Sequence, residues 1–235
     1  TPFMLNSYGN KEVKTPHLDR LAKQSHVYEA AYTPYPLCAP ARASMMTGKY
    51  CSRLNCYDNA SVFSSEEPTF VHYLNLLGYD TVLCGKMHFI GPDQLHGFGK
   101  RLTTDIYPSD FSWLPQYVDE ENHILQSEAW GNATQYRYTT AVPKEWNKGL
   151  AYDEETQARA REYLYSRSGN EEPFFLCVSY HHPHDPFNPP EKYWNLYKDK
   201  EVKIPDLDSS DVIEESILDY WLNNGFYFWS RFIYE

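Results

Sequence analysis

The run Pro173-Phe-Phe-Leu-Cys-Val-Ser-Tyr180 constrains this chain most, because its apolar residues do not alternate with polar ones. A stretch of that kind reads as a strand buried on both faces, as in the middle of a parallel sheet. Before it, Asp153 can cap a helix running to about Tyr165. The same order occurs earlier. Phe70, Tyr73, Leu74 and Leu77 fall on one helical face, Gly78 can end that helix, and Tyr79 to Cys84 follows as a strand. Helix followed by strand, twice, predicts an α/β fold with a largely parallel sheet flanked by helices. Such sheets place ligands beyond the carboxyl ends of their strands, where this sequence has Gly85-Lys86 and His182 to His184.

Elsewhere, Thr15-Pro16 reads as an N-cap and first residue of a short helix whose apolar face is Leu18, Leu21 and Ala22, and Val27 to Tyr32 reads as extended. Thr33 to Pro40 holds three prolines and predicts an irregular loop, with a helix from Ala41 to Thr47 closed by Gly48. Cys38 would then stand just ahead of a helix N-terminus. From Ile90 to Trp146 no period is sustained, which predicts a long elaborated loop region. With 42% hydrophobic and 17% aromatic residues the 235-residue chain can build a core. Its net charge of −11 argues against nucleic acid as a partner. No apolar run nears the roughly 20 residues of a membrane helix, so no membrane partner is expected. The compartment is left open, with the cytoplasm favoured. Five cysteines without paired CxxC units predict neither a disulfide framework nor a zinc ribbon. Cys84 and Cys177, inside apolar runs, are expected to be inert.

The chemistry-bearing residues begin with Cys38-Ala-Pro-Ala-Arg42, continuing to Met46-Thr47-Gly48. A cysteine at a helix N-terminus gains from the amide dipoles, and an arginine one turn on can pair with an anion there. Cysteine and arginine alone would favour an ordinary turn, with the cysteine merely packed and the arginine on the surface. The pattern C-x-P-x-R-x-x-x-M-T-G, however, resembles the signature of the type I sulfatases, which convert this cysteine to formylglycine. A second block, Gly78-Tyr79-Asp-Thr81 followed by Gly85-Lys86-Met87-His88, is similar to the same family in its usual order. A narrower likeness to the choline-sulfatase branch lies in Tyr57-Asp-Asn59, in 85–98, in Leu102-Thr-Thr-Asp-Ile-Tyr through Trp113, and in His182-Pro-His-Asp-Pro186.

The resemblance implies an alkaline-phosphatase-like fold and hydrolysis of a sulfate monoester, choline O-sulfate foremost. It implies that Cys38 is the nucleophile precursor, Arg42 its positioning partner, and Lys86 a contact to sulfate oxygens. His88 would be the base and His182, ahead of His184, the donor toward the leaving oxygen. Without the family signature, Lys86 and His88 would read as a solvated turn. The H-H-x-H pattern alone is a weak indication of zinc. Asn59 and Trp113 match substrate-pocket positions, and an indole face suits a quaternary ammonium that cannot donate hydrogen bonds. Asn132 is a looser match.

Family members bind a divalent cation, usually calcium, through acidic pairs and the formylglycine, so Cys38 would also be a metal ligand in that form. The other ligands have no counterpart here, and Asp206, Asp208 and Asp211 read as a solvated surface. The expectation is a partial catalytic domain over 1–205, incomplete at both ends, with a divergent tail over 206–235. Its partners would be a small sulfate ester and a formylglycine-generating enzyme; a homo-oligomer is left open. Two alternatives remain: a phosphonate or phosphodiester hydrolase using the same nucleophile, and an inactive binding module.

Overall fold

The structure is a computed structural model that describes residues 4–107, 109 and 141–200. Two compact units divide the chain, residues 1–36 and 37–235. In the first, a 3-10 turn at Asn6–Tyr8 precedes helix α1, Pro16–Ala22, which starts with proline as expected. Thr15 donates through its hydroxyl to Asp19 at 2.8 Å, and Tyr8 to the Tyr28 carbonyl at 2.9 Å. Leu18 and Leu21 of α1 are exposed, so the apolar face that the sequence shows is left open among the described residues of this unit. A unit of this length has too little chain to cover it. Residues 27–32 form no strand.

The second unit contains α2 (Cys38–Thr47), α3 (Cys51–Leu54), α4 (Phe70–Leu76), β1 (Asp80–Gly85), β2 (Lys100–Arg101), α5 (Lys148–Ser166), β3 (Phe174–Ser179) and α6 (Glu191–Trp194). Its sheet has the order β2-β1-β3 and is parallel throughout, as the helix-strand order predicts. β1 is central, with Val82, Leu83 and Cys84 fully buried. Successive strand residues face opposite sides of a sheet. Leu83 joins Ala43 and Met46 of α2, Val71 of α4, and Phe89 in one core cluster. Cys84 turns the other way, its thiol donating to the Thr156 carbonyl of α5 at 3.2 Å. Helices therefore cover both faces of β1.

Four local expectations change. β3 is only partly buried, with Phe174 and Val178 exposed, because it is an edge strand of the described sheet rather than a central one. α5 begins at Lys148, where Asn147 Oδ1 accepts the Leu150 N–H at 2.9 Å; Asp153 lies a turn inside and is used otherwise. β2 falls in the region expected to be loop, since a two-residue strand of Lys and Arg carries no apolar period. α2 begins at Cys38 rather than Ala41, because Pro40 sits in the first turn, where a missing N–H costs nothing. The expected boundary at residue 205 lies outside the described residues.

The close pairing of β1 with β3 needs glycine at its end. Gly85 has φ +106°, and a Cβ there would run into the Ser179 backbone. Gly85→Ala should cost about 2 kcal/mol or more in urea unfolding, combining backbone strain with the steric conflict. A variant as stable as the parent chain would show that the two strand ends are not held this close.

Candidate active site

β1 and β3 finish level, Gly85 opposite Ser179, so the residues beyond them emerge side by side. The Lys86 N–H donates to the Ser179 carbonyl at 2.9 Å and continues the pairing one step past the strand. Arg42, from the second turn of α2, closes this junction. Its Nη1 donates to the Lys86 carbonyl at 2.8 Å and to Ser179 Oγ at 3.2 Å. One guanidinium thus fixes the head of α2 against both strand ends.

That contact sets Cys38, the first residue of α2, beside the segments following β1 and β3. Asn59 completes the helix end, its Oδ1 accepting the Ala39 N–H at 3.0 Å in the manner of a cap. Hydrogen bonds from His184, then His88, hold the Cys38 thiol down at about 5 against the opposing effect of burial, with the Lys86 charge adding to them. The same bond to Cys38 raises His184. Cys84, buried by the sheet, is pushed the other way, to about 11, and burial also raises Cys177, so neither thiol is drawn toward its thiolate.

Lys86 is buried at 2% exposure, which lowers its pKa, and its ammonium lies 4.4 Å above the Tyr107 ring. The His88 ring lies 4.8 Å from that of Tyr107, and the Tyr107 hydroxyl is 3.2 Å from His184 Nε2. His184 Nδ1 in turn donates to the Asp185 carbonyl at 2.8 Å. The site is therefore a ring of nitrogen donors and cations around residue 38, in a chain whose net charge is negative.

His182 is placed differently from expectation. Its Nδ1 lies 2.7 Å from Asp153 Oδ2, which also accepts the His182 N–H, while Asp153 Oδ1 accepts that of His181. His182 and Asp153 line a groove of about 540 Å³ with Tyr180, Phe187 and Tyr193, and the lining includes neither Cys38, Lys86, His88 nor His184. Of the three histidines beyond β3, the one that reaches the thiol is His184. The position expected for His182 is taken by the neighbour two residues on, because Asp153 of α5 draws His182 to the other side of the turn. Burial, first of several causes, pushes His181 down to about 4.

Cys38, Arg42, Lys86 and His88 are thus brought together as expected, and Asn59 stands against the first turn that carries Cys38. Trp113, Asn132 and the 206–235 tail lie outside the described residues. Asp105, Tyr107, Asp153 and Ser179 complete the arrangement and were not among the site residues expected from the sequence, where Asp153 was read only as a helix cap. An Arg-x-x-x-Asp spacing at 101–105 was the available signal for Asp105. Calcium does not fit what is described: among these residues no cluster of three His, Cys, Asp or Glu can hold a metal ion. Asp105 is spent on backbone N–H groups and Arg101, and Asp185 on His184.

A protein-family profile described as Sulfatase matches residues 2–214. The choline-sulfatase of Rhizobium meliloti is 44% identical over 205 residues, covering 85% of this chain and 39% of that protein. Among solved structures, a protein bound to its substrate D-glucosamine-2-N,6-O-disulfate superimposes with a TM-score of 0.59 at 23% identity, over 88% of this chain and 37% of that one. The phosphonate monoester hydrolase of Agrobacterium radiobacter gives 0.58 at 21%, over 86% and 42%. These likenesses establish the alkaline-phosphatase-like fold. The chain spans about two fifths of the length of the curated relatives it matches.

Unmodified Cys38 should react with iodoacetamide with a midpoint near pH 5, and His184→Ala should raise that midpoint by about one unit or more. A midpoint at the ordinary thiol value in the unaltered chain would mean that neither histidine reaches the sulfur.

Proposed function

The chain belongs to the sulfatase family, and on that premise we propose that it serves hydrolysis of a sulfate monoester, choline O-sulfate, with residue 38 as the nucleophile in its formylglycine form. The observation that carries this reading is the cationic ring around Cys38: His88, His184 and buried Lys86 at the head of a helix positioned by Arg42. A sulfate ester is anionic, and its leaving oxygen gains charge in the transition state, so cations and proton donors must surround it. The choice of choline rests on the likeness to the Rhizobium meliloti protein and on the pocket matches at Asn59 and Trp113.

Formylglycine, hydrated at residue 38, supplies an oxygen nucleophile for sulfur. The chain's own residues do the rest. Lys86, over the Tyr107 ring rather than in an ion pair among the described residues, holds a sulfate oxygen. The α2 amides add positive potential at the same point. His88 takes the proton from a hydroxyl at residue 38, and His184 gives one to the leaving oxygen. The Tyr107 hydroxyl, 3.2 Å from His184 Nε2, and the Asp185 carbonyl on Nδ1 orient that imidazole for the task. His182, held by Asp153 at the groove, shapes the turn that presents His184.

Expression with a formylglycine-generating enzyme should yield a Cys38 peptide with the mass of the aldehyde. The converted protein should release sulfate from choline O-sulfate, and Cys38→Ala should abolish this. His184→Ala should lower kcat by on the order of 100-fold or more, and His182→Ala by much less. Faster turnover of a phosphonate monoester would move the reading to phosphorus chemistry. Conversion without turnover of either ester, or no conversion at all beside a control sulfatase that is converted, would favour a binding module.

A further inference from the structure

His88 has φ +55°, a left-handed backbone that is uncommon outside glycine. The N–H of this residue is held by Asp105, whose side chain is 4% exposed. Its Oδ2 accepts the N–H of Met87 and the N–H of His88, both at 2.8 Å, and Arg101 Nη2 at 2.8 Å. Arg101 is itself fixed by the Gly85 carbonyl at 3.1 Å and by Gln94 Oε1 at 3.1 Å. Burial opposes ionisation of Asp105, but the bonds from Met87 and Arg101 outweigh it and hold the carboxyl below its usual value.

The other oxygen of the same carboxylate leads to a second set of contacts. Asp105 Oδ1 accepts the Tyr107 N–H at 3.3 Å, and the Tyr107 ring and hydroxyl meet Lys86, His88 and His184. Lys86, His88 and His184, the groups around Cys38 from the segments beyond β1 and β3, therefore all meet residue 105 or residue 107. A carboxylate used only to staple the loop would need none of the contacts through Tyr107.

We propose that Asp105 is a positioning residue: it sets the backbone of His88 directly, and through Tyr107 it aligns the Lys86 ammonium and the His184 imidazole on residue 38. The catalytic half of this inference rests on the function proposed above. The geometric half does not, because reactivity of unconverted Cys38 reports the same alignment without any ester.

Asp105→Ala, in the converted protein, should lower kcat for choline O-sulfate by on the order of 100-fold while KM stays within about threefold, as misplacement of a catalytic group does. Asp105→Asn retains an acceptor for the Met87 and His88 N–H groups and should recover most of that loss. In unconverted protein at about pH 6, Asp105→Ala should slow iodoacetamide alkylation of Cys38 by about fivefold or more, since the thiolate loses its donors. A folded Asp105→Ala, judged by circular dichroism, with unaltered kcat and unaltered alkylation rate overturns the proposal. Should that variant fail to fold, Tyr107→Leu decides: slower alkylation and lower kcat at similar KM support the proposal, and unaltered values overturn it. If the unaltered protein turns over no sulfate ester while the alkylation rate still falls in the variant, the proposed function fails and the positioning role stands.

Discussion

Everything at the site depends on two parallel strands ending at the same level and on one arginine that holds them there. Arg42 Nη1 satisfies the Lys86 carbonyl and reaches Ser179 Oγ, so a side chain of α2 completes the hydrogen bonding of β1 and β3 where their ladder stops. Bonds from a charged donor are worth about 1.5–3 kcal/mol each, and a partly buried carbonyl left without a donor costs a similar amount. The glycine at position 85 allows the approach, and the arginine makes it definite. From that junction Cys38 and Lys86 take their relative places.

The electrostatics invert between the whole chain and its site. A net charge of −11 describes the surface at large and alone would suit a cationic partner. Around Cys38, in contrast, the nearest groups are a buried ammonium and two imidazoles, while the acids close by are turned onto backbone N–H groups, an arginine or a histidine. The cysteines measure the difference. One thiol at a helix head falls to about 5, and another, against a helix carbonyl in the sheet, rises to about 11.

The sequence revealed the parallel sheet, because Val82 to Cys84 and Phe175 to Val178 are apolar runs that follow helical patterns, and it revealed Cys38, Arg42, Lys86 and His88 through the spacing of a long signature. It did not separate His182 from His184. Strand alternation stops at Ser179, and beyond it the choice of imidazole is made by Asp153, 29 residues earlier in the chain. Asp105 was hidden for a related reason. Its partners at 87, 88 and 101 are joined by tertiary geometry, and β2, which brings Arg101 into place, is too short and too polar to show a period. The cap of α5 was misplaced by six residues because Asp153 and Asn147 are equally good caps in isolation, and only the packing of the His181–His182 turn claims Asp153.

The bond from Arg42 to Ser179 spans 137 residues of sequence. During synthesis at roughly 5–20 residues per second, the head of α2 leaves the ribosome on the order of ten seconds before the strand and histidines that will enclose it exist. Throughout that interval Cys38 is an ordinary side chain on an unfinished polypeptide, lacking the donors that later surround its sulfur. The order of translation thus gives residue 38 an interval in which none of the groups that later enclose it is in place.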